Sequence, residues 1–186
     1  MNQTFLETKF HIPPWRPASI SRPRLVQRLN AGLEEGRSLT LISAPAGYGK
    51  STLVTEWIHS SQNCAKPAWL SLDDADNDLG RFLSYAIAAL CRKDASLGCG
   101  AQNLLQMTRS ASPAAVLDAW LNELAALQQP MCLVLDDYHV ITHPEIHEAL
   151  EYCLDHRPPH FHWVITTRAD PPLPLARLRA RQQMTE

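Results

Sequence analysis

The stretch "LISAPAGYGKSTLV", residues 41–54, decides how the rest of the chain is read. It follows the phosphate-loop pattern G-x-x-x-x-G-K-[ST], except that the first glycine is replaced by Ala44. The pattern works because backbone N–H groups converge on phosphate oxygens and a helix N-terminus follows. Gly47 and Gly49 let the backbone approach without a Cβ in the way. Lys50 is placed to reach the β- and γ-phosphates, and Ser51 to hold Mg2+. Ala44 falls where strand meets loop, a junction that a small residue with negative φ can serve. The competing reading is a plain glycine-containing turn between a strand and a helix. The apolar run "SLTLIS" before the loop and the helical stripe Leu53, Val54, Trp57 and Ile58 after it argue against that.

Working outward, strand and helix patterns alternate. Leu25, Leu29 and Leu33 recur at helical spacing, with Gly36 as a stop. "PAWLSL" (67–72) reads as a second strand, ended by the acidic loop "DDADND". Phe82, Leu83, Ile87 and Leu90 line one helix; residues 94–111 suggest a short helix with loops. Ser112 caps a helix opened by Pro113, with Val116, Leu117, Trp120, Leu121 and Leu124 on its inner face. "MCLVLDDYH" (131–139) is a third strand, apolar and then abruptly acidic. Thr142, Pro144 and Glu145 read as a capping-box start for a helix striped by Ile146, Leu150, Cys153 and Leu154. "HFHWVITTR" (160–168) is a fourth strand, and "PLPLARLRAR" is helical. Strands 1, 3 and 4 are continuously apolar, which requires cover on both faces: an α/β fold with a parallel sheet between helical layers. Ligands bind beyond the carboxyl ends of such strands. Those ends carry the glycine loop, Asp73-Asp74, Asp136-Asp137 and Thr166-Thr167-Arg168.

Composition restricts the function classes. The 186 residues suit one domain, and 45% hydrophobic with 19% charged residues is ordinary for a globular chain. Seventeen basic against nineteen acidic residues announce no nucleic-acid surface. The apolar runs are too short to span a bilayer, and "MNQTFLETKFHIPPW" is not a secretory signal, so a cytoplasmic location with no membrane partner is expected. Five cysteines without a C-x-x-C pair read as reduced, mostly buried thiols.

The acid pair after strand 3 fits a second nucleotide element. Asp136 would bind Mg2+ directly or through water, since that ion prefers oxygen ligands. Asp137 would orient or deprotonate an attacking water. Arg168 could touch a γ-phosphate with its planar guanidinium. The bland readings are two solvated acids and a solvated arginine at strand ends. His139, His143 and His147 lie at four-residue spacing, but Pro144 opens the helix after the first two, which argues against a metal site. His160 and His162 read as strand-edge residues.

The motifs "SRPRL", "LISAPAGYGKSTLVTEW", "AWLSLDDADND", "LVLDDYH" and "HWVITTRADPPLPLARLRAR", in this order, resemble the ATPase domain of MalT-like, LuxR-type transcriptional regulators among the STAND ATPases. In that family the loop commonly begins with alanine. The resemblance implies a P-loop NTPase with ASCE-type strand order. It implies an ATP/ADP switch: the ADP form rests, while ATP with an inducer drives self-association. It also implies that DNA is bound only through a C-terminal domain outside this stretch. By matching position, Ala46, Gly47, Tyr48, Gly49, Lys50, Ser51 and Thr52 would contact nucleotide, Ser51 and Asp136 would hold Mg2+, and Arg168 would sense the γ-phosphate; Asp137 joins Arg168 as the expected catalytic pair. The "SRPRL" element implies that Arg22 lies near the base or phosphates.

Residues 1–21 are expected to form an N-terminal arm and 22–186 the nucleotide domain, C-terminally incomplete. The expected fifth strand is truncated, with no strand after "RARQQMTE", leaving one side of strand 1 as an unpaired edge and the domain marginally stable. Two other functions stand as alternatives: a P-loop small-molecule kinase, for which no arginine-rich lid is evident, and a nucleotide binder without turnover, which fits the expected truncation.

Overall fold

The computed structural model describes residues 4–15, 20–60, 66–107 and 112–186, without the side chains of Cys99 and Met107. Part of the proline-rich arm (16–19), Cys64 and residues 108–111 lie outside the described residues.

Five parallel strands form one sheet: β1 (Leu39–Ser43), β2 (Lys66–Ser71), β3 (Met131–Asp136), β4 (Phe161–Thr167) and β5 (Met184–Thr185), in the order β2-β3-β4-β1-β5. Helices α1 (Pro23–Glu34) and α2 (Lys50–Ser60) cover one face. Helices α3 (Leu79–Cys91), α4 (Cys99–Met107), α5 (Pro113–Ala125) and α6 (Pro144–Asp155) pack on the other. The period-two alternation of the strands explains both layers. Met131, Leu133 and Leu135 of β3 join Phe161, Trp163 and Ile165 of β4 in the larger core. Cys132 and Val134 join Val164, Trp57 and Trp69 in the smaller one. Burying each such large side chain contributes about 1.5–3 kcal/mol, so the two continuous apolar strands hold both layers.

The inner stripes read from the sequence for α3, α5 and α6 are all buried, and Ser112 caps α5 by accepting from the Ala115 N–H. Four local readings need correction. The start of α6 is not a capping box: its N-cap is His143, and the Thr142 and His143 N–H groups donate instead to the Asn77 side-chain oxygen at 2.7 and 3.2 Å. A residue from the β2–α3 connection has taken the role a local cap would have had. His162 is not at an edge but buried inside the sheet. Its Nδ1 donates to the Arg37 carbonyl (2.8 Å), so its Nε2 accepts from the Thr40 hydroxyl (2.9 Å). Cys132 is disulfide-bonded rather than a reduced thiol, whereas Cys153 is a buried thiol whose pKa burial pushes up to about 12.

The fourth correction concerns strand 5. Met184 and Thr185 do form a strand, truncated to two residues, after α7 (Leu175–Ala180) and a turn with Gln182 at φ 55°. They pair with Leu39 and Thr40, so the first part of β1 has a neighbour on each side. Gly32 of α1 makes room for this strand, since a Cβ there would lie 2.0 Å from the Thr185 hydroxyl.

The "DDADND" loop is not an open acidic tip. Asp76 is wholly buried and pairs with Lys9, itself buried, and with Arg81 Nε at 3.1 Å. Lys9 belongs to a short 3-10 turn (Glu7–Phe10) packed beside β2, and it also reaches Asp73 at 2.9 Å. Phe5 and Phe10 contact the Tyr85 ring of α3, and the Arg92 guanidinium lies 3.7 Å from the Phe10 ring centre. The acids after β2 thus fasten residues 4–15 to the domain.

Candidate nucleotide-binding site

The carboxyl ends of β1, β3 and β4 lie side by side because the strands are parallel and in register. The loop after β1 turns through Gly47 (φ 82°) and Gly49 (φ 74°), left-handed conformations that favour glycine, and enters α2 at Lys50. Ala44 is held at the junction: its N–H donates to the Thr167 carbonyl at 3.1 Å, extending the β1–β4 ladder by one residue. Among the described residues other than glycine, only Asp137 and Gln182 have positive φ, so Ala44 sits where any small L-residue can.

Above the loop is an open cavity of about 330 Å³ lined by Ala46, Gly47, Gly49, Lys50, Ser51, Thr52, Asp137 and Arg168. Of the residues singled out in the sequence, these eight come together. Lys50 is buried, and its ammonium donates to the Ala44 (2.9 Å) and Pro45 (3.2 Å) carbonyls across the base of the loop. Nothing lies within 4 Å of where a Gly47 Cβ would be, so the loop face is free for a ligand to approach.

Three expected residues lie elsewhere. Asp136 is buried behind Ser51, whose hydroxyl donates to its two oxygens at 2.8 and 3.1 Å. Burial pushes its pKa up, against hydrogen bonds from Thr166 and Ser51 that favour the carboxylate. Tyr48 turns its ring outward, 62% exposed. Arg22 does not line the cavity; its guanidinium donates to the Tyr48 carbonyl at 2.9 Å and packs against Gly49. Asp73 and Asp74 are not in the cavity wall either, so three strand ends build it rather than four. His139 sits 3.7 Å from Asp137, and burial, then Arg168, holds its pKa below the usual value. His147 instead bonds the Tyr138 hydroxyl at 2.8 Å.

Two further residues of this region were given no individual role by the sequence. Thr166 is buried between the acids, donating to Asp136 Oδ1 at 2.5 Å and accepting from the Asp137 N–H at 3.0 Å. Glu56, an acid within the apolar stripe of α2, accepts from the Arg22 N–H (3.1 and 3.2 Å) and from the Ser21 hydroxyl. It satisfies the start of α1, whose N-cap residue Arg22 makes no side-chain cap of its own. That bond ties Arg22 to the helix that begins with Lys50. An acidic residue interrupting a buried stripe was the one available clue to Glu56; Thr166 was placed among the polar residues at the carboxyl end of strand 4, with nothing to link it to the acid pair.

As chemistry, the site offers a glycine-bearing backbone cradle, an ammonium at its base, a hydroxyl next to a carboxylate, and an acid with a guanidinium at its rim. The hydroxyl–carboxylate pair is an all-oxygen donor set of the kind that suits Mg2+.

The chain has relatives by sequence and neighbours by fold among known proteins. No protein-family model matches it. It is 38% identical over 173 residues to the HTH-type transcriptional regulator MalT of Cronobacter sakazakii and 39% identical over 178 residues to that of Serratia proteamaculans. These matches cover 92% and 91% of the chain but 19% of each relative, so the chain spans about a fifth of their length. Among solved structures it resembles Cdc6p from Pyrobaculum aerophilum (TM-score 0.54, 16% identity, 94% of this chain and 46% of that one). It also resembles a chain of Drosophila ORC bound to AT-rich DNA and Cdc6 (TM-score 0.54, 12% identity, 88% of this chain and 52% of that one). Those likenesses bear on the fold alone, an α/β architecture with a parallel five-stranded sheet between helices. By sequence, the chain is similar to the MalT transcriptional regulators over the stretch it shares with them.

Proposed function

We propose that this chain is the nucleotide-operated part of a signal-responsive transcriptional activator. It binds ATP with Mg2+, hydrolyses it slowly to ADP and phosphate, and its nucleotide state governs self-association. The DNA-binding output and the sensing of an inducer belong to parts of the longer relatives outside the matched stretch, and the protein acts in the cytoplasm. No described helix is long and apolar enough to cross a membrane. The observation that carries the proposal is the meeting of Lys50, Ser51, Asp137 and Arg168 around one cavity from three different strand ends.

The residues divide the work. The N–H groups of the loop and the first turn of α2 take the phosphate oxygens, helped by the helix dipole. Lys50 exchanges its carbonyl partners for phosphate oxygens, a stronger charge-assisted pairing. Ser51 and Asp136 would hold Mg2+, which when bound neutralises phosphate charge. Asp137, with its side chain about half exposed at the rim, orients or deprotonates water. Arg168, on the wall of the same cavity, stabilises charge on the terminal phosphate.

Titration with a fluorescent ATP analogue in Mg2+, followed by a phosphate-release assay, tests this. Lys50→Ala should weaken binding at least about tenfold, from the loss of a charged hydrogen bond. Asp137→Ala should leave binding within about threefold and slow release by about 100-fold. Absence of binding by the unmodified chain would sink the proposal, and transfer of phosphate to a metabolite rather than water would replace it with a kinase.

A further inference from the structure

We propose that Thr166 is a positioning residue that holds the Asp136–Asp137 pair in its working geometry. The inference rests on the nucleotide reading above and deepens it.

Asp137 is a non-glycine residue at φ 60°, ψ 39°. The left-handed region is costly for a residue with a Cβ, of order 1 kcal/mol, and persists where neighbours impose it. Here the neighbour is identified. The Asp137 N–H leaves the β3 ladder and donates to Thr166 Oγ1 at 3.0 Å. The same hydroxyl donates its one hydrogen to Asp136 Oδ1 at 2.5 Å. The direction of both bonds is forced: an amide can only donate and a carboxylate only accept, so the hydroxyl hydrogen must point at Asp136. Thr166 is fully buried, and water cannot replace it easily.

The clamp has consequences at both acids. The turn it fixes makes Asp137 the first residue off the strand and places it on the wall of the cavity that Arg168 also lines. Asp136 has two side-chain donors, Ser51 and Thr166. If Ser51 turns its oxygen toward a metal ion, Thr166 keeps Asp136 in place. Thr166 lies on β4 two residues before Arg168, so one strand fixes the acid pair and presents the guanidinium.

Thr166→Val removes the hydroxyl and keeps the shape, while Thr166→Ser keeps the hydroxyl. Amide hydrogen exchange measured by NMR on the intact chain is the first readout, with the Leu135 amide of the same strand as reference for global unfolding. In Thr166→Val the Asp137 amide should exchange at least about tenfold faster relative to Leu135, and Thr166→Ser should restore it to within about threefold. Unchanged Asp137 exchange in Thr166→Val overturns the clamp, whatever the nucleotide site does. The second readout is steady-state phosphate release: kcat should fall at least about tenfold in Thr166→Val while KM for ATP moves less than about threefold, again rescued by serine. Equal kcat in the valine variant overturns the positioning role. An unmodified chain that neither binds nor hydrolyses ATP defeats the nucleotide reading and this role together, and the exchange result shows whether the clamp exists apart from them.

Discussion

Ala44 poses the residue-scale question: whether the loop needs glycine at its start. Its N–H completes a sheet hydrogen bond and its carbonyl receives the Lys50 ammonium. Neither demands a positive φ, whereas Gly47 and Gly49 both adopt one. The required glycines were therefore legible in the sequence, and so was the dispensable one. His162 was not legible, because a histidine in an apolar strand looks the same whether its ring meets solvent or a carbonyl. Burial pushes its pKa down to about 4 from an ordinary 6.5, with a smaller contribution from Arg157. A depressed histidine pKa means that the neutral folded form is favoured. Its contribution is complete above about pH 6.5 and is lost as pH falls toward and through about 4. The loss amounts to about 3 kcal/mol at the acid end. Denaturant unfolding at pH 7 and pH 4.5 should show a drop of that order, flattened in His162→Gln; an unchanged slope in that variant would contradict the buried, neutral ring.

At the scale of elements, periodicity carried most of the reading. Strand β3 is apolar at every position up to its polar end, and β4 is so apart from His162, because helices cover both faces; that continuity is visible in "MCLVL" and "WVI". What escaped was anything decided by a partner distant in sequence. Asn77 caps α6 across 65 residues, and β5 is too short for any pattern to declare it. Gly32 gives that strand a direct test. Glycine to alanine inside a helix ordinarily stabilises by up to about 1 kcal/mol. In Gly32→Ala, however, the new Cβ would meet the Thr185 hydroxyl at 2.0 Å and its Cβ at 3.0 Å. The expected net effect on unfolding free energy is a loss of about 1–3 kcal/mol. Thr185→Ala should recover most of it, since that hydroxyl is buried and has no hydrogen-bond partner among the described residues. A stabilised Gly32→Ala would mean that α1 does not pack on β5 as described.

Across the whole molecule, two connections link parts that the sequence presents separately. Lys9 and Asp76 are 67 residues apart, yet both are buried and paired. Lys9→Met should cost about 3 kcal/mol, because it leaves Asp76 with Arg81 as its one remaining cation among the described residues, and equilibrium unfolding will measure it. A loss under about 0.5 kcal/mol would mean that residues 4–15 are not fastened as described. The pair was invisible beforehand because a lysine in a short polar segment and an aspartate in an acidic loop both look solvated. The second connection is the site itself, where a loop, an acid pair and an arginine from three strands converge.

Whether that convergence binds nucleotide is tested most directly by calorimetric titration of Mg-ATP into the intact chain and its Lys50→Ala variant, with unfolding followed in parallel. The account predicts saturable binding by the unmodified chain and a stabilisation of about 2.7 kcal/mol when free ATP stands at about 100 times Kd. Lys50→Ala at the same ATP concentration should show most of that stabilisation lost. No heat and no stabilisation in the unmodified chain, or the same affinity in both proteins, would contradict it.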